Sequence, residues 1–175
     1  MSKTIHDVRA KRIIFDSSLL FDEVTARLDQ ELSRDKAGPK GFDIFATAKT
    51  REDLEQGIQN VIGGKDFIFF GAPAFHDWRN AYYDQAVQVP KTTQYILGNP
   101  FIAETMIVHD LYVPLNVPPR LLVVEKADKS GTQVVYYQPS SIIAVSADGN
   151  VKPELKVAAE ALDAKLEALV RKITA

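Results

Sequence analysis

Apolar residues recur along the chain with two periods, and the changes of period predict its elements. Residues 1–10 are polar and predict a frayed terminus. RIIFDS (12–17) is rich in β-branched and aromatic side chains and predicts a strand. Ser17 or Ser18 then stands where a hydroxyl can cap a helix. In LLFDEVTARLDQELSR, Phe21, Val24, Leu28 and Leu32 fall at steps of three and four, which makes one helical stripe facing a core. DKAGPKG breaks that helix with two glycines and a proline. FDIFATA (42–48) alternates as a strand would. Thr50 and Asp53 form a capping-box pattern ahead of REDLEQGIQNVI, whose apolar side is Leu54, Ile58, Val61 and Ile62. Gly63 and Gly64 end this second helix.

DFIFFGA (66–72) predicts a further strand. Residues 73–93, PAFHDWRNAYYDQAVQVPKTT, fit neither period and predict an irregular excursion between strands. Three strand signals follow: TQYILG, ETMIVHDLYVPL with a break near His109, and PRLLVVEKA. The turn DKSG joins the last of these to TQVVYYQP as a hairpin. SSIIAVS is ambiguous, ADGN reads as a turn, and Pro153 suits the first turn of a helix. Leu155, Ala159, Leu162, Leu166, Leu169 and Ile173 then form a narrow apolar seam, able to dock on the chain's own sheet or on a partner helix. Early helices, late hairpins and no regular strand–helix alternation predict one α+β domain over residues 1–175, with a mostly antiparallel sheet packed by helices and a long C-terminal helix.

Composition and charge narrow the classes of function. The 175 residues include no cysteine, which excludes thiol nucleophiles, disulfides and zinc–cysteine sites and permits a reducing compartment. A net charge of −2, with Lys and Arg in no run longer than two, argues against nucleic acid as a partner. Charged residues interrupt the N-terminal segment before it reaches signal-peptide character, and no stretch approaches a membrane span. These features predict a soluble cytoplasmic protein. Neither GxGxxG, a P-loop nor GxSxG occurs, and no cofactor is expected.

Candidate chemistry is sparse. His109 beside Asp110 could exchange a proton, but neighbours on a strand point to opposite faces, so the chain must bend for them to act together. The alternative is a strand-end histidine bonded to backbone, with Asp110 capping a turn. Gly98-Asn99-Pro100 predicts a fixed corner in which Gly98 can take an angle closed to other residues. The Asn99 amide there either braces backbone or acts as an oxyanion donor. His76, Trp78, Tyr82 and Tyr83 could wall or lid a ligand pocket, plug the core or form a subunit contact, and Met106 joins them as a candidate ligand-contacting residue. His76, His109 and Asp110 can be drawn as a metal set, but nothing in their spacing requires one, and no metal site is expected.

Several short motifs in order resemble the domain-of-unknown-function family numbered 302, in its longer fungal and bacterial branch. They are Gly98-Asn99-Pro100, Thr105-Met106, His109-Asp110, Val117-Pro118 leading into Leu121-Leu122-Val123-Val124-Glu125, Tyr136 with Pro139-Ser140-Ser141, and the closing LDAKLEALV. In that branch an acidic residue and a histidine precede a tryptophan after the FF strand. Here FFGAPAFHDWRNAYY keeps His76 and Trp78 but lacks the acidic residue. The resemblance implies a TATA-binding-protein-like fold with a curved sheet, and a homodimer, but no activity. The expected function is a homodimeric binder of a small apolar molecule held between sheet and helices. The alternatives are a cofactor-independent enzyme using His109 as acid or base, oriented by Asp110 or Asn99, and a structural dimer without a ligand.

Overall fold

A computed structural model describes residues 1–37, 43–145 and 150–175, apart from the side chain of Ile44. The breaks expected at DKAGPKG and ADGN fall mostly outside that set. The first strand, β1 (Arg12–Ser17), is where RIIFDS predicts it. Helix α1 (Phe21–Glu31) follows, and Phe21, Val24, Leu28 and Leu32 are all buried. Neither Ser17 nor Ser18 caps it. Leu20 occupies the cap position without a side-chain bond, while Ser17 Oγ accepts from Leu19 N–H at 3.1 Å and donates to Thr174 O at 2.8 Å. Ser17 therefore fastens the C-terminal end of the chain to β1, and three residues separate it from the first helical turn.

After the short α2 (Arg34–Ala37), FDIFATA departs from the strand its alternation predicts: Asp43–Thr47 is a helical turn, α3. The Thr47 hydroxyl bonds back to Asp43 O at 2.8 Å, a local contact that only helical backbone allows. Helix α4 (Arg51–Ile62) carries the full capping box. Thr50 Oγ1 accepts from Asp53 N–H at 3.1 Å, and Asp53 Oδ2 accepts from Thr50 N–H at 3.2 Å. Gly63 closes it in the left-handed region, with φ of 56°.

Strand β2 (Ile68–Gly71) leads into residues 73–93, which are not wholly irregular. Phe75–Tyr82 forms α5, a helix of barely two turns whose stripe of Phe75, Trp78 and Tyr82 fully buries no residue. Strand β3 (Thr92–Gly98) follows. ETMIVHDLYVPL is the clearest departure from expectation. Pro100–Ile107 is helix α6, and Val113–Leu115 is a single 3₁₀ turn. The apolar, β-branched run mimics a strand, but Asn99 accepts from Phe101 N–H at 2.9 Å and Pro100 takes the first helical position, so the corner starts a helix.

Strands β4 (Arg120–Glu125) and β5 (Thr132–Tyr137) form the expected hairpin. Asp128 Oδ1 sets its turn by accepting from Ser130 N–H at 3.0 Å and Ser130 Oγ at 2.7 Å. The ambiguous SSIIAVS contains the short helix α7 (Ser140–Ile143), and α8 (Pro153–Thr174) closes the chain. The strands make one antiparallel sheet in the order β1-β5-β4-β3-β2. Alternate residues, among them Tyr95, Leu97, Leu121, Val123 and Val134, turn one face inward and are buried. Helices α1 and α8 pack near that face, and all six seam residues of α8 are buried within the chain itself. The fold is thus α+β with an antiparallel sheet and a long C-terminal helix. Among the described residues no helix is long and apolar enough to cross a membrane.

Candidate functional site

A cleft of about 610 Å³ opens between α4 and α6, beyond the Gly98 end of β3. Its base is formed by Phe67, Met106 and Leu162, all buried. Leu54 of α4, Phe70 of β2, and Phe101 and Ile102 of α6 line its sides. Phe45 of α3 stands 5.9 Å from Phe70, ring centroid to centroid. The segment Val117–Pro119, whose Val117–Pro118 peptide is cis, completes the enclosure. A volume in this range, lined mainly by apolar and aromatic side chains with a few polar groups, is characteristic of small-molecule sites.

Gly98 sets the width of the cleft on one side. A Cβ there would lie 3.0 Å from Phe70 Cε2 and 3.0 Å from Pro118 Cβ. The sequence suggests glycine for an unusual backbone angle, yet among the described residues the glycines with positive φ are Gly63, Gly64 and Gly131. Gly98 is needed for space. It lets the proline segment close against the end of β2.

The polar members of the lining are few. Arg51 Nε donates to Glu55 Oε1 at 2.6 Å, a pair on successive turns of α4. That carboxylate, its charge and then the charge of Glu52 hold the guanidinium's proton more firmly than usual. Glu104 is exposed on α6. Asn99 is committed at both ends of its amide, with Oδ1 on Phe101 N–H and Nδ2 donating to Asp66 O at 3.0 Å. It braces the start of α6, which leaves one amide hydrogen of the group uncommitted.

The structure brings only two of the sequence candidates, Asn99 and Met106, to this cleft. His109 and Asp110 lie past the end of α6, where both backbone N–H groups bond Met106 O, at 3.0 and 3.2 Å. Asp110 Oδ1 accepts from Tyr112 N–H at 2.8 Å and so shapes the turn. The carbonyl of His109 accepts from Lys152 Nζ at 2.8 Å. The two side chains do not line the cleft.

His76, Trp78, Tyr82 and Tyr83 form a separate group on and just after α5. Thr92 N–H donates to His76 Nδ1 at 3.1 Å, and the His76 ring meets Phe21 edge-on at 5.9 Å. His76 thus clips α5 to the Thr92 end of β3, and seven residues of strand put roughly 20 Å between that end and the cleft. Trp78 and Tyr82 are 57% and 74% exposed, and Tyr82 packs edge-on against Tyr83 at 5.2 Å. They neither plug the core nor wall the cleft. His76 and His109 also belong to different parts of the fold, and among the described residues no three His, Asp or Glu side chains gather to hold a metal.

Phe45, Leu54, Phe70, Phe101 and Ile102 are functional candidates that sequence reasoning missed. The available signal was Asn99-Pro100 read as a helix start, which sets Ile102 and Met106 four apart on one helical side.

Two comparisons bear on identity. Residues 52–173 match the family model described as domain of unknown function DUF302. The crystal structure of the uncharacterized conserved protein DUF302 from Bacillus stearothermophilus superposes with a TM-score of 0.61 at 14% identity, covering 93% of this chain and 97% of that one. At that identity the likeness is one of fold. No curated protein matches the sequence.

Proposed function

The chain belongs to the DUF302 family, and from that premise we propose that it is a homodimeric protein that binds a small apolar molecule in the cleft between α4 and α6. The observation that carries this reading is the cleft's lining: phenylalanines, aliphatic side chains and prolines around about 610 Å³, with charged groups, among the described residues, confined to Arg51, Glu55 and Glu104. Unfilled apolar surface of this extent is costly unless something covers it. The enzymatic alternative has less support, because His109 and Asp110 lie outside the cleft and Asn99 braces backbone through both Oδ1 and Nδ2.

The dimer rests on β1. This edge strand turns Arg12, Ile14 and Asp16 to the open side of the sheet, and Ile14 is 52% exposed. An unprotected edge is a template for another strand. Antiparallel pairing of two β1 strands centred on Ile14 sets Arg12 of each copy opposite Asp16 of the other, and Ile13 beside Phe15.

Native mass spectrometry of freshly purified protein, bare and with a library of apolar ligands, tests the binding. Adducts that disappear in Ala103→Trp, which fills the cleft from α6, support it; an absence of adducts across the library sinks it. Light scattering near twice 19.5 kDa, falling to the single-chain mass in Ile14→Lys, is the expected result for the dimer.

A further inference from the structure

The charges at the cleft and the rings inside it point to one class of ligand. Phe45, Phe67, Phe70 and Phe101 all line the site. The face of a phenylalanine ring carries negative electrostatic potential and attracts organic cations. Among the described lining residues Arg51 is the single cation, and it is already engaged by Glu55 at 2.6 Å. Glu104 has no ion pair among the described residues. A ligand arriving with a carboxylate meets an Arg51 whose charge Glu55 already offsets, and faces Glu104 as a like charge. A ligand arriving with an ammonium finds Glu104 without an ion-pair partner and four phenylalanine rings in the same lining.

Resting on the binding role above, we infer that the cleft selects hydrophobic amines, with the hydrocarbon part among the phenylalanines and the ammonium at the mouth beside Glu104. The acidic mouth excludes fatty-acid-like anions of the same length. Because Glu104 is exposed, the preference weakens as salt screens the charge.

The test is calorimetric titration of the full chain with octylammonium, n-octanol and octanoate, which share one tail and differ in the head group. The expected order is octylammonium, then octanol, then octanoate, with about a tenfold gap between the first and last. In Glu104→Gln, a change at an exposed position, the gap shrinks as octylammonium weakens and octanoate tightens. Glu55→Gln frees Arg51 and raises the affinity for octanoate. Circular dichroism confirms that both variants are folded. Equal affinities for all three ligands, octanoate binding tightest, or an undiminished amine preference in Glu104→Gln each overturns the selectivity and leaves the binding role standing. No binding of any of the three overturns both.

Discussion

The Tyr95 hydroxyl donates to Asp29 Oδ1 at 2.9 Å, on a carboxylate that Arg34 Nη1 also holds at 2.9 and 3.1 Å. Tyr95 is 1% exposed in the middle of β3, and Asp29 lies on α1, so one hydrogen bond ties the sheet to the helix packed above it. Tyr95→Phe keeps the ring and its edge-on contact with Phe69 at 6.2 Å, and deletes only the hydroxyl. Asp29 retains Arg34, so no buried charge is stranded. The expected loss is about 1 kcal/mol, read from urea unfolding with an unchanged m-value.

The same hydroxyl predicts an alkaline limit to stability. Burial, followed by the neighbouring Asp29 charge, raises the Tyr95 pKa far above its ordinary value. Burial, followed by Glu167 and Asp163, pushes Tyr136 up to about 12. Both groups bind their protons more tightly in the folded chain than in the unfolded one. Their contribution is intact below about pH 10, where an unfolded tyrosine ionises, and is lost as pH climbs toward the folded values. Denaturant midpoints should therefore fall progressively above about pH 10, and less steeply in Tyr95→Phe. A flat profile up to pH 12 would contradict the assignment.

How much of this was legible in the sequence depends on which force shapes each segment. The α8 seam, the α1 stripe and the β4–β5 hairpin were readable because burial of a regular face dictates them, and the period of the face is the period of the element. Where local hydrogen bonding decides, the hydrophobic pattern misled. Met106 and Ile107 look like strand residues, but the Asn99 cap and Pro100 force a helix. Helix α5 is hard to read for a related reason: its short stripe of Phe75, Trp78 and Tyr82 is at most half-buried, and His76 holds the helix by a bond from the backbone of Thr92. The cleft escaped notice because its lining residues come from α3, α4, β2, α6, the Val117–Pro119 segment and α8, and no window of sequence contains them together.

Gly98→Ala tests the packing that closes the cleft. The new methyl meets Phe70 and Pro118, each at 3.0 Å, so either the ring swings into the cleft or the proline segment backs away. Overpacking of this kind costs roughly 1–3 kcal/mol. Thermal unfolding should show the loss, and ligand affinity should drop with it. Unchanged stability would mean that the contact is looser than its geometry implies.

His109→Ala separates the binding role from the acid–base alternative. The ring does not line the cleft, so affinity for apolar ligands should stay within twofold of the wild type, about 0.4 kcal/mol by titration calorimetry. A large loss of binding would place the histidine in the site after all.

The capping box of α4 offers a test of how rigidly the cleft is held. Thr50 stands outside the lining, but the helix it caps supplies Arg51, Leu54 and Glu55 to the site. Thr50→Ala removes the acceptor for Asp53 N–H and should cost about 1 kcal/mol, concentrated in the first turn. Hydrogen exchange over residues 51–55 should quicken while the amides of β3 and β4 stay protected. With the first turn frayed, Leu54 and the Arg51–Glu55 pair are ordered only when ligand binds, so affinity falls by the cost of restoring that turn. Thr50→Ser keeps the hydroxyl and should restore both exchange and affinity. If Thr50→Ala loosens the helix but leaves affinity untouched, the ligand does not contact α4, and the cleft assigned here is not where it binds.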